Sequence, residues 1–284
     1  MKMLNLDSRQ QVKEIYPLVT KEYHMEVSIH SDLEMKVFAN KGDFFTSEFI
    51  QTYKDTFGGT TGNVDYNNPC VAANAINNWF RKQSRLPNVE IIDSADITGE
   101  TGLIFASFQR IVPSWDRDFA PSNIVDVDFY LNKSEIVKTT ALQGKGLVKL
   151  AYIKDLCAQV LEVVFREGEF SLIIMYPDDI EGLQDMLGKL QDPNVFSDAI
   201  AHAKPCCLDV TMALGDVFSV NKWTQEMMEV DLRDLTGVFK NDKPTNISAI
   251  YHGIQFAPTI GDTDICSTKS DACPQSHLQK LVIT

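Results

Sequence analysis

Asn68-Pro69-Cys70-Val71-Ala72-Ala73-Asn74-Ala75-Ile76-Asn77-Asn78-Trp79-Phe80, with Leu103–Val112 after it, is the stretch that decides the fold. Proline lacks an N–H, and the first turn of a helix has no intrahelical partner for one, so Asn68-Pro69 reads as a helix start. Val71, Ala72, Ile76, Trp79 and Phe80 then form an apolar stripe at helical spacing. Leu103–Val112 is a long strand candidate. An apolar-faced helix beside a long strand predicts a helix packed on a sheet.

Outward from that pair, helices and strands alternate irregularly, without the even rhythm of a doubly wound sheet. Asp7 caps a first helix with Val12, Ile15, Leu18 and Val19 on one face, and Pro17 kinks or ends it. Met25–Ala39 alternates as a strand does. Phe45, Phe49, Tyr53 and Phe57 recur every fourth residue and Gly58-Gly59 stops that helix. Val125–Leu131, Val160–Phe165, Phe170–Tyr176, Cys207–Met212 and Asn246–Ala257 read as strands, with a hairpin turn at Arg166-Glu167-Gly168-Glu169. Asp179–Leu190 reads as a short helix. Thr259–His277 is polar and aperiodic, and Leu278–Thr284 is a short apolar end. The pattern predicts one α+β domain with several sheets.

Composition excludes more than it assigns. The 284 residues carry 26 Lys+Arg against 39 Asp+Glu, a net charge of −13 that repels phosphate backbones, and no basic stripe interleaves with aromatics. Nucleic acid is therefore not an expected partner. No apolar run approaches the ~20 residues that span a bilayer, so no membrane is expected either. Residues 1–10 hold no apolar core of signal-peptide length, which leaves localisation open. The six cysteines (70, 157, 206, 207, 266 and 273) fit no zinc or disulfide framework and read mostly as buried free thiols. Cys266 and Cys273 stand apart, in a polar tail where a small disulfide loop is sterically feasible. Asn132-Lys133-Ser134 and Asn246-Ile247-Ser248 are acceptor sequons that matter only in a secreted chain.

Catalytic patterns are lacking. There is no Gly-x-Ser-x-Gly elbow, no phosphate-cradling loop and no His-Glu-x-x-His. Gly144-Lys145-Gly146 is too short for a phosphate loop and reads as a turn. His202 with Cys206-Cys207 is the nearest approach to a metal set and lacks a fourth ligand. Asp178-Asp179 follow Pro177 where a helix begins, as complements to its dipole. No enzyme, cofactor or metal is expected.

Six short segments share an order with one known family. Val64-Asp65-Tyr66, Pro69, Ala72-Ala73, Ile76-Asn77 and Trp79 resemble the serpin segment that forms the helix lying across the central sheet. Leu103–Trp115 is similar to the next central strand and the tryptophan beyond it, and Phe119-Ala120-Pro121 to the Phe-x-Pro that follows. Ala158-Gln159-Val160-Leu161-Glu162 and Leu172-Ile173-Ile174-Met175-Tyr176-Pro177 resemble a consecutive pair of core strands. Asp234-Leu235-Thr236-Gly237-Val238 stands where serpins carry an Asp-Leu-Ser-Gly-Ile type sequence, and His252 falls in the strand leading to the reactive loop.

The resemblance implies an α+β serpin-like fold: a large mixed central β-sheet, smaller accessory sheets and surrounding helices. It also implies that the family's first helices and last strands are missing, with an incomplete domain over residues 1–264 and a reactive-loop-like tail over 265–284. The implied function is that of a serine-type endopeptidase inhibitor, whose loop is cut by a serine protease and inserts into the central sheet. The alternatives are a non-inhibitory binding or scaffold protein and an inactive truncated copy. Gly261, Asp262, Thr263 and Asp264 fall at the loop hinge, Gln275, Ser276 and His277 in the cleavage region, and Ser107, Trp115 and His252 in the shutter and breach of the sheet. Ser107 replaces the usual asparagine, which changes the hydrogen-bond partner expected for His252. Without closing strands the tail is expected to hang free. Exposed sheet edges invite self-association.

Overall fold

The computed structural model describes residues 29–283 apart from 117, 167–169, 214–216, 225–226, 228–233, 259 and 261–278. These residues form β1 (Ile29–Asn40), α1 (Ser47–Phe57), β2 (Thr60–Val64), α2 (Pro69–Ser84), β3 (Leu103–Pro113), β4 (Phe119–Asn132), β5 (Glu135–Ile153), β6 (Ala158–Val164), β7 (Ser171–Pro177), α3 (Leu183–Lys189), α4 (Pro193–Ala201), β8 (Lys204–Met212), β9 (Val217–Thr224), β10 (Ile247–Phe256) and β11 (Gln279–Ile283). They divide into two units, one centred on residues 31–111 and 218–256, the other on residues 112–217. The helix expected around residues 7–19 lies outside the described residues.

The first unit is a five-stranded sheet in the order β2-β1-β3-β10-β9. β1 runs parallel to β2, and β3 parallel to β10. Strand periodicity sends alternate residues of β3 to opposite faces. Ile104, Ala106 and Phe108 join the core formed with Ala72, Ala73, Ile76 and Phe80 of α2. Leu103 and Phe105 instead meet Phe45, Tyr53, Val238 and Phe239 on the α1 side. Ile76 and Phe80 are fully buried, and each large apolar side chain so buried is worth about 1.5–3 kcal/mol. The four aromatics spaced by four meet in sequence, with ring centroids 5.3, 6.0 and 5.8 Å apart, the first two pairs stacked and the third tilted.

Two local devices fix these helices. Thr46 caps α1: its Oγ accepts from Phe49 N at 3.1 Å and donates to the Gly237 carbonyl at 3.0 Å. Gly237 sits at φ 76°, in the left-handed region where glycine carries no Cβ penalty, so the Asp234–Val238 segment turns tightly over the start of α1. Asn77 of α2 is buried and holds the chain that leaves the helix. Its Oδ1 accepts from Ile91 N at 2.8 Å and Ile92 N at 3.1 Å, and its Nδ2 donates to Ile92 O at 2.9 Å.

The second unit is a six-stranded sheet, β11-β8-β5-β6-β7, with β4 also on β5. The predicted hairpin is present: β6 and β7 pair antiparallel, and Phe165 N donates to Phe170 O at 2.9 Å. β5 pairs with β8 along one side, while its other side takes β4 and then β6. Gly144 and Gly146 are strand residues of β5, not a turn as expected. A Cβ on Gly146 would stand 1.9 Å from the Asp118 carbonyl oxygen, and one on Gly144 2.8 Å from that of Ala120. Glycine is there because another backbone approaches too closely for a side chain.

The structure differs from the sequence reading elsewhere. β5, β9 and α4 were not anticipated, and α3 begins at Leu183, because Asp179–Gly182 form a turn closed by Gly182 N on Asp179 O. The tail does not hang free at its end: Gln279–Ile283 form β11, parallel to β8 with Leu281 opposite Val210. Cys70 and Cys157 are exposed free thiols and Cys206 a half-buried one, rather than core residues. Cys157 sits at φ 46° in the turn before β6, where the chain faces water. Cys207 is disulfide-bonded. No helix among the described residues is long and apolar enough to cross a membrane.

Candidate functional site

Adjacent strands of one sheet that are parallel need a crossover, and residues 114–246 separate β3 from β10. They nevertheless pair directly, from Ile247↔Leu103 to Phe256↔Ile111, with a register irregularity between Ile247 and Ala249. No strand lies between them. This seam is closed along its length.

Ser107 and His252 are register partners in the middle of it. Ser107 Oγ and His252 Nδ1 are 2.7 Å apart, so two of the residues expected in the shutter are brought together. Burial holds the His252 imidazole below its ordinary value, which favours the neutral ring. Gln109, two residues along β3, donates from Nε2 to Ser31 Oγ on β1 at 3.0 Å. Gly253 packs against Phe108 and Phe218, and a Cβ there would come 2.9 Å from the Phe108 ring.

Trp115, the third predicted residue, belongs to the other unit. It is buried, bridges Phe165 in antiparallel fashion and meets the Phe165 and Phe119 rings edge-on at 5.3 and 6.3 Å. Arg166 N donates to Ser114 O at 2.9 Å beside it. The hinge residues Gly261, Asp262, Thr263 and Asp264 and the cleavage-region residues Gln275, Ser276 and His277 lie outside the described residues, as do Cys266 and Cys273. His202 is not directed at a metal set: its Nδ1 lies 2.6 Å from the Asp198 carbonyl.

One polar cluster escaped the sequence reading. Asp96, in the short 3-10 turn Ser94–Asp96 between α2 and β3, accepts from Lys222 Nζ of β9 at 2.6 Å and from Tyr251 Oη of β10 at 3.1 Å. The Lys222 ammonium also lies 5.7 Å from the centroid of the Tyr251 ring. Burial alone would raise the Asp96 carboxyl, but the Lys222 ammonium and the Tyr251 hydroxyl outweigh it and hold the group below its ordinary value. Burial first, and then the Asp96 charge, push the Tyr251 phenol up, so it stays a donor. These residues come from three separate segments, and no spacing in the sequence links them.

A sequence profile of the family described as Serpin (serine protease inhibitor) matches residues 1–252. The chain belongs to the serpin family. Among curated relatives, this serpin is 31% identical to Manduca sexta alaserpin over 172 residues, which is 59% of this chain and 43% of that one. It is 28% identical to the Sus scrofa leukocyte elastase inhibitor over 179 residues, 63% of this chain and 47% of that protein. The serpin chain thus spans about half the length of the curated relatives it matches. Solved structures show the same fold. Tenebrio molitor Serpin48 superposes with a TM-score of 0.70 at 17% identity, covering 98% of this chain and 76% of its own. Thyroxine-binding globulin in complex with thyroxine gives 0.69 at 13% identity, covering 97% and 74%.

Proposed function

We propose that this chain is a serine-protease inhibitor that works by loop cleavage and strand insertion at the β3–β10 seam. The observation that carries the reading is connectivity. β10 forms one wall of the closed seam, and the chain runs from its end through residues 257–278 to β11, a strand of the other sheet. A segment held at both ends by strands is a bait that a protease can cut without the protein coming apart. The protease serine adds to the scissile carbonyl, the amide C–N bond breaks, and the new amine leaves with a proton. An ester then joins the loop to the protease. Entry of the hinge side, Gly261 to Asp264, beside β10 satisfies a row of backbone groups and drives the change. The cut falls at Gln275–His277 on this reading.

Incubation with trypsin-, chymotrypsin- and elastase-like proteases, followed by a denaturing gel, tests it. A band at the summed mass is the expected result. Cleavage without that band overturns inhibition and leaves the second reading, a binding scaffold, which the charged hinge pair Asp262 and Asp264 and the bulky Ile265 favour. Edge strands β2 and β9 offer a second copy a ladder to extend, and sizing chromatography reports on that association.

A further inference from the structure

The ladder is not the only thing that closes the seam. Asp93 Oδ1 accepts from Ala95 N at 2.8 Å and shapes the turn that carries Asp96. Asn77 fixes the preceding residues, Ile91 and Ile92, to α2, and Ile97 is buried in the same core as Ile76 and Phe80. Residues 91–97 are therefore tied to α2 and lead, through residues 98–102, into β3. From this body a single carboxylate reaches across to β10 through Tyr251 and to β9 through Lys222. Tyr251 stands opposite Ala106 in the seam itself, one pair from Ser107 and His252.

We propose that Asp96 is a latch that holds the β3–β10 seam shut, a positioning residue that sets how readily a strand enters there. Admitting a strand adds about 4.8 Å between β3 and β10. Hydrogen bonds of 2.6 and 3.1 Å from the β3 lead-in to β9 and β10 cannot survive that displacement, so they open before or with the ladder. Charge-assisted bonds of this kind are stronger than neutral ones, and Tyr251, at 1% exposure, has its hydroxyl in surroundings poor in replacement water. The latch lies on the α2 face, while Ser107 and His252 meet on the opposite face. The seam is thus fastened on both sides.

The inference rests on the reading of the seam as an entry point, yet its test does not depend on inhibition. Hydrogen exchange followed by mass spectrometry on the whole chain reads seam opening directly. Asp96→Asn is expected to speed exchange of Leu103–Ile111 and Ile247–Phe256 roughly tenfold. The amides of β5, β6 and β8 should keep their parental rates. Tyr251→Phe removes one bond and keeps the ring, and a rise of about threefold is expected. Lys222→Met, on a partly exposed side chain, is the variant least exposed to misfolding and should act in the same direction. Seam rates unchanged in all three overturn the latch. So does a uniform rise in both sheets, which would make Asp96 a general stabiliser. A protein that never forms the trapped band but shows the local rise retains the latch and loses the inhibitory reading.

Discussion

Ser107 Oγ and His252 Nδ1 stand 2.7 Å apart across the β3–β10 ladder. The pair sits on a half-buried face, so each side chain relies on the other more than on water. Removing the hydroxyl leaves the imidazole nitrogen short of a partner. Ser107→Ala is therefore expected to cost about 1–2 kcal/mol in urea unfolding. A midpoint unchanged within error would show that water replaces the hydroxyl.

The same pair gives the fold an acid sensitivity. His252 is held below its ordinary 6.5 by burial, so near and below that pH the unfolded chain binds more protons than the folded one. Stability from this group is complete above about pH 6.5 and declines as pH falls from there toward the lowered folded value. Melting curves at pH 7.5 and 5.5 should show a drop, and His252→Gln should flatten that part of the profile. An equal drop in the variant would assign the acid sensitivity to other groups.

The β3–β10 wall was legible because its residues carry periodic signals. Val71 to Phe80 has helical spacing, Leu103–Val112 is a long run in which apolar residues predominate, and the ordered family segments put both Ser107 and His252 in the shutter. β5 and β9 were not legible for a physical reason. β5 mixes charged and apolar residues because only parts of it are buried, and two glycines interrupt it at close backbone contacts. β9 alternates exposed and half-buried residues and buries none fully, so it carries no strong apolar signal. Asp96 gave no signal at all, since an acidic residue in a polar loop reads as solvated until its partners arrive from β9 and β10.

Asn77 offers a test of how α2 is tied to the β3 lead-in. It is 4% exposed and makes three hydrogen bonds to the Ile91 and Ile92 backbone. Asn77→Ala strands the buried N–H and carbonyl of Ile92 and the part-buried N–H of Ile91. A loss of about 2–4 kcal/mol is expected by urea titration, with faster proteolysis of residues 85–96. A loss below about 0.5 kcal/mol would mean that the segment is held by Ile92 and Ile97 packing instead.

Two glycines in the second unit should respond to alanine with opposite signs. At Gly146 the new Cβ meets the Asp118 carbonyl at 1.9 Å, and Leu147 N donates to that same oxygen, so neither backbone can retreat freely. Gly146→Ala should cost about 3 kcal/mol or prevent soluble expression. Gly188, in α3, has nothing within 4 Å of a Cβ. Gly188→Ala should gain about 0.5–1 kcal/mol in the same thermal melt.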